Sequence, residues 1–129
     1  MNLKELREII SGTELTPFIK EDNFEISYAF CGDLMSDALM VLRTAPIENC
    51  EQGVLITGNS TVQGIRTAEM LDLPIVIITR GKTPTQQVID QAYQSNVIII
   101  TTNDVAFTVS GKLYQHGIVG LSNVNANLH

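Results

Sequence analysis

The sequence predicts a three-layer α/β/α single domain with a mainly parallel sheet, and three observations carry that prediction. The first is a threefold repeat. Val54-Leu55-Ile56-Thr57, Val76-Ile77-Ile78-Thr79 and Ile98-Ile99-Ile100-Thr101 are apolar runs that each end in Thr, at a constant interval of 22 residues. The second is the composition just after each Thr. Small or polar residues come next (Gly58-Asn59-Ser60, Arg80-Gly81-Lys82, Thr102-Asn103-Asp104), then a segment of helical periodicity. The third is that the runs are apolar throughout rather than alternating. Strands buried on both faces and joined by helices form parallel sheets covered on both sides. Each repeat is thus a βα unit of 22 residues. Right-handed crossovers place the three strand ends on one edge of the sheet.

From the N-terminus, Asn2 to Ile10 is predicted as a helix, with Asn2 as cap, Glu5 closing a capping box, and Leu3, Leu6, Ile9 and Ile10 on one apolar face. Gly12 is expected to stop it in a left-handed backbone. Glu14 to Phe18 reads as a short strand at an edge or bend, because Pro17 has no N–H for a ladder. Lys20 to Asn23 is a polar turn, and Phe24 to Phe30 alternates as a strand with one buried face. Cys31-Gly32-Asp33 breaks that strand, and Asp33 is placed to cap a helix from Leu34 to about Leu42 with Leu34, Ala38, Leu39 and Leu42 inward. Thr44 to Gly53, with Pro46 and acidic residues, reads as a surface connection.

Within the repeats, Ser60 or Thr61 caps a helix facing inward through Val62, Ile65, Ala68 and Leu71, and Pro74 returns the chain to strand. Thr83 is the expected cap of the next helix, with Pro84 at its first position, Gln86 closing the box and Val88, Ile89 and Ala92 inward. Thr102 or Asn103 caps the third, with Val105, Val109 and Leu113 inward and Gly117 at its end. Ile118 to Leu121 adds a last short strand. Residues 1–121 are assigned to the domain and 122–129 to a polar C-terminal tail.

Bulk properties narrow the function classes. At 129 residues, 44% hydrophobic and 17% charged, the chain fits one globular domain with a real core. No apolar run approaches the roughly 20 residues a membrane span needs, and the N-terminus carries no signal-peptide pattern. The net charge of −6 sits in residues 1–53, with four basic and ten acidic residues; the remainder holds four of each. An acidic chain without a basic stripe is a poor match for nucleic acid or an anionic membrane surface. Cys31 and Cys50 lack CxxC spacing and read as free thiols of a cytoplasmic protein.

Open α/β sheets bind ligands at the strand-end edge, which makes the post-strand loops the candidate site. Thr57-Gly58-Asn59-Ser60-Thr61 runs into a helix and suits a phosphate or carboxylate; ordinary capping is the plainer reading. It matches neither GxxxxGK[ST] nor GxGxxG. Arg80-Gly81-Lys82 supplies two cations at the neighbouring strand end, where they can meet a small anion or a partner's carboxylate. Thr102 lies on the same edge. Gly32-Asp33 can bring a carboxylate there, with helix capping as the competing role. Asp33 and Asp37 share a helical face, but two carboxylates alone do not define a metal site, and no metal or cofactor is expected. HExxH, GxSxG and Cys-His arrangements are absent, so no catalytic residue is assigned.

Several segments together resemble the DRTGG domain family: Phe30-Cys31-Gly32-Asp33-Leu34-Met35-Ser36-Asp37-Ala38-Leu39, Val54 to Asn59, Ile65 to Leu71, and Arg80-Gly81-Lys82. They occur in order with the right intervals, and the resemblance covers about residues 1–121. The name-giving pentapeptide is not present literally: many relatives read Gly-Asp-Arg where this chain has Gly58-Asn59-Ser60. The resemblance implies a fold similar to the N-terminal domain of HPr kinase/phosphorylase. It also implies a regulatory or dimerising role, as in the domains that accompany CBS domains in regulated pyrophosphatases, and stand-alone bacterial forms exist. The resulting expectation is a non-catalytic regulatory module that binds a small anionic ligand or a partner protein and homodimerises. A purely structural dimerisation unit, and a phosphoryl or acyl transferase using the Gly58 loop, are the alternatives.

Overall fold

A computed structural model describes residues 1–122, so the tail beyond Ser122 lies outside the described residues. Among the described residues six strands form one sheet: β1 (Thr13–Glu14), β2 (Tyr28–Cys31), β3 (Gly53–Thr57), β4 (Ile75–Ile78), β5 (Ile98–Thr101) and β6 (Val119–Gly120), in the order β1-β5-β4-β3-β2-β6. Every neighbouring pair is parallel except β1–β5. The repeat strands β3, β4 and β5 are adjacent and in register, with Leu55 opposite Val76 and Val76 opposite Ile99. Their parallel run is what the all-apolar sequence required.

Helices cover both faces. α2 (Met35–Leu42), α3 (Ile47–Cys50), α4 (Val62–Met70) and α5 (Gln86–Gln94) pack on Leu55, Val76, Ile78 and Ile99. α1 (Leu3–Ile9) and α6 (Ala106–Gln115) pack on Val54, Ile56, Ile75, Ile77, Ile98 and Ile100. Alternate residues of one strand thus feed two separate cores. α1 has the predicted capping box: Asn2 accepts from the Glu5 N–H and the Glu5 side chain accepts from the Asn2 N–H.

Local differences have physical causes. α1 ends on Ser11 at φ 50°, not on Gly12. Gly12 is needed for close approach instead, since a Cβ there would lie 2.5 Å from Ile100 Cγ2. β1 is shorter than predicted because pairing passes to a side chain: Thr16 Oγ1 accepts from the Ile99 N–H at 2.9 Å. The alternating stretch from Phe24 becomes strand only at Tyr28, where a parallel partner begins. α2 buries Met35, leaving Leu34 64% exposed as its cap residue. The Thr44–Gly53 connection contains α3, which buries Cys50. α5 starts two residues later than predicted, with Thr85 as cap and Pro84 ahead of it. α6 is capped by the backbone at Val105, which is half exposed. Gly117 does end α6 in a left-handed conformation, at φ 92°.

Candidate functional site

The C-terminal ends of β2, β3, β4 and β5 lie side by side. β4 leads to α5 on one face and β5 leads to α6 on the other. Neighbouring strands whose connections leave in opposite directions open a crevice at that edge. The tight turn after β4 carries the cations. Arg80 and Gly81 both adopt left-handed backbone, at φ 65° and 69°. Their N–H groups donate to the Asp104 and Thr102 carbonyls, each at 2.9 Å, which ties this turn to the end of β5. Glycine enters that conformation freely, whereas a side-chain-bearing residue gives up roughly 1–2 kcal/mol. The geometry at Arg80 is therefore imposed by the turn.

Both cations reach across to the end of β3. Lys82 Nζ donates to the Gly58 carbonyl at 2.9 Å. The Arg80 guanidinium occupies the space a side chain at position 58 would need: a Cβ on Gly58 would lie 3.1 Å from Arg80 Nη2 and 3.3 Å from Asp33 Oδ1. Gly58 is thus a seat for two charged groups of opposite sign.

Asp33 is the main correction at this edge. It does not cap α2, whose start has no side-chain cap. Instead Asp33 Oδ1 accepts from the Gly58 N–H at 2.7 Å, with the Thr57 hydroxyl donating at 3.4 Å. A carboxylate of the protein already fills the place at the β3 loop where an external anion would sit. The rest of the loop also satisfies itself. The Asn59 N–H donates to Thr57 Oγ1, and Asn59 Oδ1 accepts from the Thr61 N–H and hydroxyl. Ser60 is half-buried in the same loop. Gly32 continues the β2–β3 ladder, donating to the Ile56 carbonyl at 3.0 Å.

The edge is therefore divided. On the β2–β3 side it presents Asp33. On the β4–β5 side a polar cavity of about 140 Å³ is lined by hydroxyl and amide groups of Ser11, Thr13, Thr83 and Asn103, together with Gly81, Lys82, Thr101 and Thr102. Thr102 is buried and structural: its hydroxyl donates to the Ile10 carbonyl at 2.7 Å and accepts from the Asp104 N–H at 3.2 Å. Ser11 and Thr13 carried no sequence signal. They arrive because β1 pairs antiparallel with β5, Thr13 opposite Thr101. Among the described residues no group of three His, Cys, Asp or Glu side chains is arranged to hold a metal ion. Cys31 and Cys50 are both free thiols. No described helix is long and apolar enough to cross a membrane.

The fold and this edge define a parallel α/β domain with a polar site at its strand ends. Its structure is similar to the CBS and DRTGG domains of the regulatory region of Clostridium perfringens pyrophosphatase, solved with the activator diadenosine tetraphosphate. The match has a TM-score of 0.68 and 20% identity, and covers 99% of this chain and 52% of that one. The fold is DRTGG-like, and the chain spans about half the length of that regulatory region. No protein-family model matches the sequence, and none of the curated proteins matches it.

Proposed function

We propose that this chain is a non-catalytic regulatory module that binds a small anionic ligand, of nucleotide or phosphate type, at the strand-end edge. The observation that carries the reading is the turn after β4, which spends left-handed backbone at Arg80 to converge two cations beside Gly58. Charge favours the β4–β5 half for the anion: Lys82 and the hydroxyl-lined cavity lie there, and Asp33 repels from the other half. Gly81 and Thr102 line the cavity of that half, while Gly32 and Thr57 to Thr61 belong to the β2–β3 side of the edge. A regulatory region of similar fold was solved with a dinucleotide activator, which is the class of ligand this reading names. The described histidine, His116, sits at the far end of α6 and faces the Lys112 carbonyl, so it offers no base to this edge.

The test is a titration of phosphate, ATP and diadenosine tetraphosphate against thermal unfolding. A ligand that binds the native state raises the midpoint, by about 2.7 kcal/mol of stability at a hundredfold excess over Kd. Loss of that shift in Arg80→Ala and Lys82→Ala is the expected result. No shift with any anion in the parent protein sinks the reading.

Homodimerisation is the second part of the proposal, and it also stands alone as a purely structural role. The observation behind it is the outer face of α6, where Phe107 (87% exposed) and Tyr114 (75% exposed) flank Gly111 on one stripe. Sedimentation of the parent protein and of Phe107→Ser/Tyr114→Ser decides it. A dimer that dissociates in the double variant supports it, and a monomeric parent refutes it.

A further inference from the structure

The edge of the sheet opposite the ligand site carries a second surface. α2 and α4 both end there, over α3, and enclose an open groove of about 310 Å³. Its apolar lining includes Leu39, Ala45, Ile47 and Met70; Ile47 is 56% exposed and Met70 68% exposed, with Met40 of α2 exposed as well. Methionine side chains adapt to the shape of what covers them.

The rim is acidic on one side. Cys50 and Asp72 line the groove, and Glu48 follows the lining residue Ile47 in α3; burial first, then Asp72, Glu48 and Glu51, push the Cys50 thiol up from its ordinary value. The groove's own lining pairs one acid, Asp72, with one cation, Arg43; the acidic side is the adjoining cleft, lined by Glu51, Glu69 and Asp72. The C-terminal ends of α2 and α4 add the negative poles of two helix dipoles on the same side.

We propose that this groove receives a basic amphipathic helix of a partner protein. Its apolar stripe would cover Ile47 and Met70 while its lysines or arginines meet Glu48, Glu51, Glu69 and Asp72. An apolar groove takes an amphipathic helix by its apolar face, and the rim selects the sign of the flanking residues. The same rim argues against a second copy of this chain, because a two-fold contact here would bring like charges together. This surface is separate from the strand-end edge, so its test is independent of the anion site.

The experiment uses a fluorescent synthetic helix of about 14 residues, four turns, with leucines on one face and lysines on the other. A glutamate-for-lysine counterpart and a scrambled isomer serve as controls, and binding is followed by anisotropy. Saturable one-to-one binding of the lysine peptide alone is expected. It should weaken about tenfold or more in Ile47→Ser/Met70→Ser, from the apolar area these side chains offer, and likewise in Glu48→Lys/Glu69→Lys. All four positions are on the surface, and unchanged thermal unfolding will show that the variants fold. Absence of saturation, equal binding of either control, or full binding by the variants overturns the proposal. So does a parent dimer that Ile47→Ser/Met70→Ser dissociates, since a second copy would then be the occupant.

Discussion

Replacing Asp33 by Ala separates the two roles open to this residue. In the structure Asp33 Oδ1 takes the Gly58 N–H at 2.7 Å and the Thr57 hydroxyl at 3.4 Å. Hydrogen bonds to a charged group contribute about 1.5–3 kcal/mol. The Asp33 side chain is exposed, so water screens the bond and the low end, about 1.5 kcal/mol, is the expected loss. For a chain of this size that lowers Tm by roughly 6 °C. Removal of the carboxylate also clears the β3 loop for an external anion. A unit charge at about 4 Å is worth ~1 kcal/mol even in water, so phosphate affinity should rise about fivefold. Asp33→Asn keeps an acceptor and removes the charge. It should recover part of the lost Tm and show the same gain in affinity. Hydrogen exchange at the Gly58 amide, by NMR, reads the contact directly and should accelerate in Asp33→Ala. Unchanged Gly58 exchange, with phosphate affinity equal or lower in both variants, would refute the role of Asp33 as the resident anion of the loop.

Other substitutions probe neighbouring contacts. Gly58→Ala places a Cβ 3.1 Å from the mobile end of Arg80; stability should change by less than ~1 kcal/mol while the anion-induced Tm shift collapses, both read in one thermal titration. Gly12→Ala meets Ile100 Cγ2, which cannot swing away inside the core, so urea unfolding should show a loss of about 1–3 kcal/mol. Among the described residues Ser110 Oγ on α6 is buried without a hydrogen-bond partner; Ser110→Ala removes that unmet group and favours helix, and should stabilise by about 1 kcal/mol. The two thiols should differ: a disulfide reagent at pH 8 titrates exposed Cys31 in the native protein, and buried Cys50 only after denaturation. Because burial and the nearby carboxylates raise the Cys50 pKa above its ordinary 9.0, the folded state favours the neutral thiol. That contribution to stability is fully present below pH 9 and is lost as pH rises through the folded value. A Cys50→Ala protein should show less alkaline loss.

Much of this architecture was legible because it rests on local chemistry. An apolar run such as Ile98-Ile99-Ile100 has no polar face to give water, so it must lie in a covered parallel sheet. The 22-residue interval is one strand plus one returning helix, so it also assigned the three strand ends to one edge. The Asn2–Glu5 capping box needs only neighbouring residues, and it formed as predicted.

What the sequence by itself left open depended on residues far apart in the chain. Asp33 just ahead of Leu34 looks like a helix cap, because a carboxylate at that position can accept the first free N–H groups of a helix. Only the β2–β3 pairing brings it within 2.7 Å of the Gly58 N–H. Ser11 and Thr13 join the strand-end cavity because β1 runs antiparallel to β5, a pairing two residues long that no periodicity announces. The groove is likewise a product of packing: Ile47 and Cys50 are distant in sequence from Met70 and Asp72 and come to line one surface because α3 sits beside the ends of α2 and α4. The hydrophobic pattern determined which segments had to be strands and helices, since burial of apolar area acts along the chain. The placement of charge beside charge was decided by tertiary structure alone, since electrostatic contacts depend on distances that only the folded sheet creates.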